Sequence, residues 1–289
     1  MGRASCGSGE FSISVPEFAN WPQCERLLPQ AKAAAQLIEE QGNESATAAR
    51  LLNQAAYFLA ERAQYSEAEP LYLRALAIRE KIFGPDHNFT ATSLNNLALL
   101  YRHLSRYGES ELLYQRALSI REKVSAPDSP YTASSLNNLA TLYRYQGRYS
   151  EAEPLYRRAL AIREKVLGPG HSRTATSLNN LAMLYHNQGR HDEAEPIHQR
   201  ALAIREKVSG PDHPHTATSL NNLASLYVAL GRYNEAEPLY QRALAIREKG
   251  LGLDHPDTID CASNYANLLR KLGRDDEAQA LQARFPKKQ

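Results

Sequence analysis

The chain has 289 residues, 43% of them hydrophobic and 23% charged, which is ample material for a sizeable core. Lys and Arg number 34 against 32 Asp and Glu, with no block of like charge, and this balance argues against nucleic acid as a partner. Three cysteines, Cys6, Cys24 and Cys261, sit at spacings that fit neither a disulfide framework nor a zinc ligand set, and no stretch approaches the roughly 18 apolar residues of a membrane helix. The reading is a cytoplasmic protein that does not engage a membrane.

In chain order, residues 1–15 read as a tail. Residues 16–44 read as a helical flank with an apolar stripe at Ala31, Ala35 and Ile38, a degenerate half repeat lacking its first helix. From 45 to 285 the chain repeats itself at an interval of 42 residues: Leu94-Asn95-Asn96-Leu97-Ala98 returns at Leu136, Leu178 and Leu220. Weaker copies at Leu52 and Ala262 complete six units, and residues 286–289 form a second tail. Such units stack because none can bury its apolar face alone.

Each unit encodes two helices. Leu94, Leu97, Ala98 and Tyr101 fall on one face of a helix A, and Leu113, Tyr114, Ala117, Leu118 and Ile120 on one face of a helix B. Gly147, Gly189, Gly231 and Gly273 between them suit a left-handed helix C-cap. Ser66 to Glu69, Ser150 to Glu153, Asp192 to Glu195 and Asn234 to Glu237 have the spacing of a capping box, and Pro70, Pro154, Pro196 and Pro238 directly after them suit the first turn of helix B. Gly-Pro-Asp-His turns join one unit to the next, and no strand pattern appears. The expected fold is all-α, an α-solenoid of stacked helix-turn-helix units.

The order Leu94, Leu97, Ala98, Tyr101, Tyr107, Ser110, Tyr114, Ala117 resembles the tetratricopeptide signature. The additional length in helix B and the Gly-Pro-Asp-His-Pro turn is similar to the kinesin light chain type of repeat, and the resemblance implies a right-handed superhelix that binds proteins on its concave side. It does not extend to a heptad coiled coil, so a cargo adaptor of that type is the weaker reading. The segment Phe18 to Pro29, with Trp21-Pro22, resembles the junction before such repeats in bacterial and cyanobacterial NB-ARC proteins. That implies a sensor or autoinhibitory module of a larger signalling ATPase, whose phosphate-binding loop is not in this sequence.

Helix A has a second, polar face, on which Leu99 and Arg102 lie within about 40° of Asn95. By the resemblance this face lines the groove. Its expected ligand positions are Asn53, Tyr57, Asn95, Leu99, Arg102, Asn137, Thr141, Arg144, Asn179, Met183, His186, Asn221, Ser225, Asn267 and Arg270. The Asn95 series would contact ligand backbone, whereas Asn96, Asn138, Asn180 and Asn222 would bond to the neighbouring helix. Arg50, Arg102, Arg144, Arg270 and Lys271 outnumber Glu61 and Asp260 on this face, which favours an acidic, extended peptide.

The histidines His87, His171, His213, His215 and His255 are too dispersed for one metal sphere, and no unique catalytic constellation stands apart from the repeats. The expectation is a non-enzymatic scaffold without cofactor or metal. The Arg-Glu-Lys triplets at Arg79, Arg121, Arg163, Arg205 and Arg247 read as a solvated outer face.

Overall fold

The computed structural model describes residues 44–285 except 126 and 127, with scattered positions between 29 and 42. Both tails, Cys6, Cys24 and most of the 16–44 flank lie outside the described residues. From that flank, Ile38 packs against Ala48, Ala49, Leu52, Ala75 and Ile78.

Six helix pairs follow, each an A helix and a B helix: α1 (Ala46–Glu61) and α2 (Tyr65–Phe83), then α3 (Asn88–His103) and α4 (Tyr107–Val124). The third pair is α5 (Pro130–Tyr145) and α6 (Tyr149–Leu167), and the fourth is α7 (Ser172–Asn187) and α8 (His191–Val208). The last two are α9 (Pro214–Ala229) with α10 (Tyr233–Leu251), and α11 (Pro256–Lys271) with the short α12 (Asp275–Ala283). No strand occurs among the described residues. Each helix packs on its neighbours in sequence, and successive A helices also touch one another, which places the A helices on the tighter, inner side of the solenoid.

The core follows the repeat. Leu94, Leu97, Ala98 and Tyr101 are buried with Tyr114, Ala117 and Ile120, and the small residues Ala98, Ala140, Ala182 and Ala224 let helix B approach. The A-to-B turn is a Schellman motif: Gly147 adopts φ 73° while Arg148 N–H bonds Tyr143 O at 2.9 Å. Ala63 and Ser105 hold the same left-handed conformation, at φ 58° and 59°, without glycine. Ser105→Gly is therefore expected to raise stability by roughly 0.5–1 kcal/mol, read as a higher urea midpoint; an unchanged or lower midpoint would show that the turn carries no strain.

Three sequence expectations are corrected here. Helix B begins at Tyr65, Tyr149, His191 and Tyr233, and its N-cap residues make no side-chain cap bond, so the capping boxes do not form. Pro70, Pro154, Pro196 and Pro238 consequently lie inside the helix, in its second turn. The glutamates expected to close the boxes are drawn away by a stronger, charge-assisted partner in the next unit. Arg106 Nη1 bonds Glu69 at 2.7 Å, its Nε bonds Glu109 at 2.8 Å, and its Cζ sits 3.9 Å over Tyr101. Arg148, Arg190 and Arg232 repeat this clamp on Glu111, Glu153 and Glu195 over Tyr143, Tyr185 and Tyr227.

The third correction concerns the Arg-Glu-Lys triplets, whose arginines point inward. Arg79, Arg121, Arg163, Arg205 and Arg247 are only 3–6% exposed. Arg121 Nη1 donates to Tyr131 O at 2.7 Å and to Ser135 Oγ at 2.8 Å in the next A helix, and its Nη2 reaches Thr92 in its own unit at 3.3 Å. A long stem buried among apolar side chains with a head tied to carbonyl and hydroxyl oxygens suits guanidinium better than exposure would suggest. The glutamates of the triplets do face outward, and they are paired: Glu80 with Arg116, Glu122 with Arg158, Glu164 with Arg200 and Glu206 with Arg242.

The turn histidines are helix caps. Nδ1 of His87, His171, His213 and His255 accepts the backbone N–H two residues on, at 3.0–3.1 Å, a task that Ser129 performs at the start of α5.

Candidate functional site

The inner face of the A helices is the candidate site, and its lining is layered. Deepest lie the asparagines. Asn53, Asn95, Asn137 and Asn179 are 2–5% exposed, which corrects the expectation that they contact a ligand. Asn95 Nδ2 donates to Ala91 O at 2.9 Å and across to Ser135 Oγ of the next A helix at 3.0 Å, and Asn179 Nδ2 does the same to Ser219 at 2.7 Å. The physical reason is the close approach of successive A helices, which turns this position toward the neighbour rather than the groove. The second asparagine completes the ladder: Asn96 donates to Asn53 at 3.1 Å, Asn138 to Asn95 at 3.4 Å and Asn264 to Asn221 at 3.2 Å. Asn221 is half-buried.

One turn further along each A helix lies the floor of the groove, with Tyr57, Leu99, Thr141, Met183 and Ser225 all half-buried. Thr141 Oγ1 accepts from Tyr156 at 2.8 Å, and Ser225 Oγ lies 2.8 Å from the hydroxyl of Tyr240. Tyr57 bonds Glu61, and burial pushes the carboxyl of Glu61 upward. The fourth unit departs from this scheme, because His198 replaces the helix B tyrosine. His198 is fully buried with Nδ1 3.0 Å from Asn179 Oδ1, and burial pushes its pKa down to about 3. Since Asn179 gives its Nδ2 hydrogen to Ser219, its Oδ1 is the acceptor, which assigns the neutral Nδ1–H tautomer to His198.

The rim carries the charge. Arg102 and Arg144 lie against one aromatic ring, with Cζ 4.9 Å and 4.7 Å from the centroid of Tyr145. Tyr145 is itself 55% exposed. Arg102 Nη2 lies 3.3 Å from His103 Nε2, which accepts because guanidinium can only donate. At the same position of the next unit His186 packs edge-on to His191 at 5.5 Å, and burial lowers its pKa. At the far end Asn267 and Arg270 are exposed and bonded to each other at 2.9 Å.

Of the expected ligand positions, the Leu99 series is half-buried, Arg102 and Arg144 lie on the Tyr145 ring, and four of the asparagines are withdrawn into the packing. Tyr145 is the groove residue that the sequence reading passed over. Its signal was present, since it stands one period after His103, which falls on the polar face of the same helical wheel. No group of three or more His, Cys, Asp or Glu side chains that could hold a metal occurs among the described residues.

Paired helices stacked into a continuous solenoid, with the first helix of each pair lining the inside, define a helical-repeat architecture. The tetratricopeptide repeat family model matches residues 47–123, 96–165, 131–196, 173–249 and 220–284, and the chain belongs to this family. BtubC (BKLC) from P. vanneervenii is similar over 79% of this chain and 92% of its own, at 26% identity with a TM-score of 0.63. A Podosopora anserina chain of nearly identical repeats, named for kinesin light chain, matches over 71% and 97% at 27% identity with a TM-score of 0.56. Aspartyl phosphate phosphatase F from Bacillus subtilis, at 16% identity, a TM-score of 0.58 and coverage of 85% and 71%, shares the fold alone. No curated protein matches the chain. No helix among the described residues is long and apolar enough to cross a membrane.

Proposed function

We propose that this repeat scaffold binds an extended, acidic segment of a protein partner in its concave groove, without catalysing a reaction. The carrying observation is how the two faces use their charge. On the outer face Arg116, Arg158, Arg200 and Arg242 are each joined to a glutamate of the preceding unit, so that charge serves the stack. On the groove face Arg102 and Arg144 rest together on one exposed tyrosine ring, which brings two cations to one place on the inner side. Family membership supports the scaffold reading, because the repeat chemistry supplies a surface and no reaction centre.

The reading is tested by charge reversal. Arg144→Glu is expected to weaken binding of an acidic peptide at least tenfold, about 1.4 kcal/mol, and to lower the association rate and its salt dependence. Binding unchanged by the substitution would remove the groove from consideration. The rival role, as the repeat module of an NB-ARC-type ATPase, rests on the Trp21 to Pro29 segment, all of which except Pro29 lies outside the described residues. A phosphate-binding loop encoded upstream in the same reading frame would support it.

A further inference from the structure

The register that holds Arg102 runs through the six units as Ala60, Arg102, Arg144, His186, Val228 and Arg270, so two arginines stand side by side only once. At that step both guanidinium carbons lie within 5 Å of the Tyr145 centroid, and therefore within about 10 Å of each other. The ring gives a shared contact to two long side chains that each also bond a helix B tyrosine, Arg102 to Tyr114 and Arg144 to Tyr156, and Arg102 is further fixed by its contact with His103. His103 stacks on Tyr65 at 5.8 Å, and burial together with the Arg102 charge depresses its pKa to about 4, so it remains a neutral acceptor at physiological pH. Two cations with restricted rotamers form a pre-organised pair rather than a diffuse patch.

An extended peptide rises about 3.3 Å per residue and sends successive side chains to opposite faces. Adjacent acidic residues therefore cannot both face the same groove wall. Residues two apart can, and their side chains are separated by about 7 Å, a distance that the flexible ends of Glu and Arg together convert into two ion pairs.

We propose that the Arg102–Tyr145–Arg144 step is a two-point reader that selects ligands carrying two carboxylate side chains two residues apart. The proposal rests on the groove reading above and adds a spacing rule to it. Tyr145 acts as the positioning residue, since it is the ring that touches both cations.

The test uses the full chain and a fluorescein-labelled Ser/Gly host peptide carrying two glutamates at separations of one, two or five residues, read by fluorescence anisotropy. The glutamates two apart are expected to bind about tenfold more tightly than either other spacing, and Arg102→Gln or Arg144→Gln should each abolish that preference. Tyr145→Leu should keep general attraction for the acidic peptides while flattening the dependence on spacing. Circular dichroism melts of the three variants that match the unsubstituted chain confirm that folding is not the cause. If all spacings bind equally yet Arg144→Gln weakens every one of them, the spacing rule is overturned and the groove reading stands. If no acidic peptide binds, or binding ignores both arginines, both are overturned.

Discussion

Replacing Arg163 by alanine is expected to destabilise the array by about 2–4 kcal/mol, a large effect at a position that the sequence reads as charged and exposed. Arg163 is 5% exposed, and its Nη1 bonds Arg173 O and Ser177 Oγ, each at 2.9 Å, while Nη2 reaches Ser134 at 3.3 Å. It thereby ties α5, α6 and α7 together. Burial lowers its pKa to about 10, so it is still a cation at neutral pH, and no acidic side chain shares its hydrogen bonds. Truncation removes those bonds and opens a cavity between α5, α6 and α7, two costs that add. The comparison residue is Lys165, two positions on, whose side chain is 71% exposed; its alanine variant should shift stability by no more than about 0.5 kcal/mol. Urea unfolding of the two variants decides the matter, and equal midpoints would mean that the interior arginines contribute nothing.

Mild acid is expected to weaken the array well above the range in which carboxylates titrate. In the unfolded chain His198 takes up a proton near pH 6.5, whereas in the folded chain burial holds its pKa at about 3. Below pH 6.5 the unfolded state therefore binds more protons, and stability, complete above that value, falls by about 1.4 kcal/mol for each pH unit down toward pH 3. His198 alone accounts for about 2 kcal/mol between pH 6.5 and 4.5. Burial also lowers His171 and His255, and both must stay neutral to accept the N–H that each one caps, so they act in the same direction. Glu109, Glu151, Glu193, Glu235 and Glu277 are held below their ordinary value by the clamp arginines, and their contribution is lost only below about pH 4.5. The double change His198→Tyr with Met183→Thr recreates the pair seen at Tyr156 and Thr141, and should flatten the decline between pH 6.5 and 4.5 in thermal melts. An equally steep decline in that variant would shift the cause away from His198.

The periodic part of the fold is legible in the sequence because it rests on burial. Leu94, Ala98, Tyr101 and their copies must meet helix B at every turn, and the 3.6-residue period shows which face does so. What is not legible is the choice among polar partners. Glu69 has the right spacing for a capping box, yet Arg106 of the next unit reaches it, and nothing local to Ser66 announces that competitor. Asn95 and Asn96 are identical in type and adjacent in sequence. Only the distance between successive A helices decides that the first is enclosed and that the second donates back to the preceding unit. Arg163 reads as surface from its neighbours Glu164 and Lys165, because composition cannot report that one long side chain turns inward between two helices. The candidate groove is half legible: the helical wheel puts the Arg102 series on the polar face of helix A, while the pairing of Arg102 with Arg144 through Tyr145 depends on geometry between units.

The turn clamp has a bearing on how such a chain can change its length. Arg106, Arg148, Arg190, Arg232 and Arg274 each reach back 37 residues to a glutamate of the unit before, so every junction is fastened by the same interlocking part. A cut and rejoining in equivalent places, as in unequal crossing-over within a gene, would bring together an arginine and a glutamate that had never met and yet fit. Copy number is then a quantity that heredity can vary without redesigning any joint, while single positions such as Tyr145 and His198 record what each copy has come to do alone.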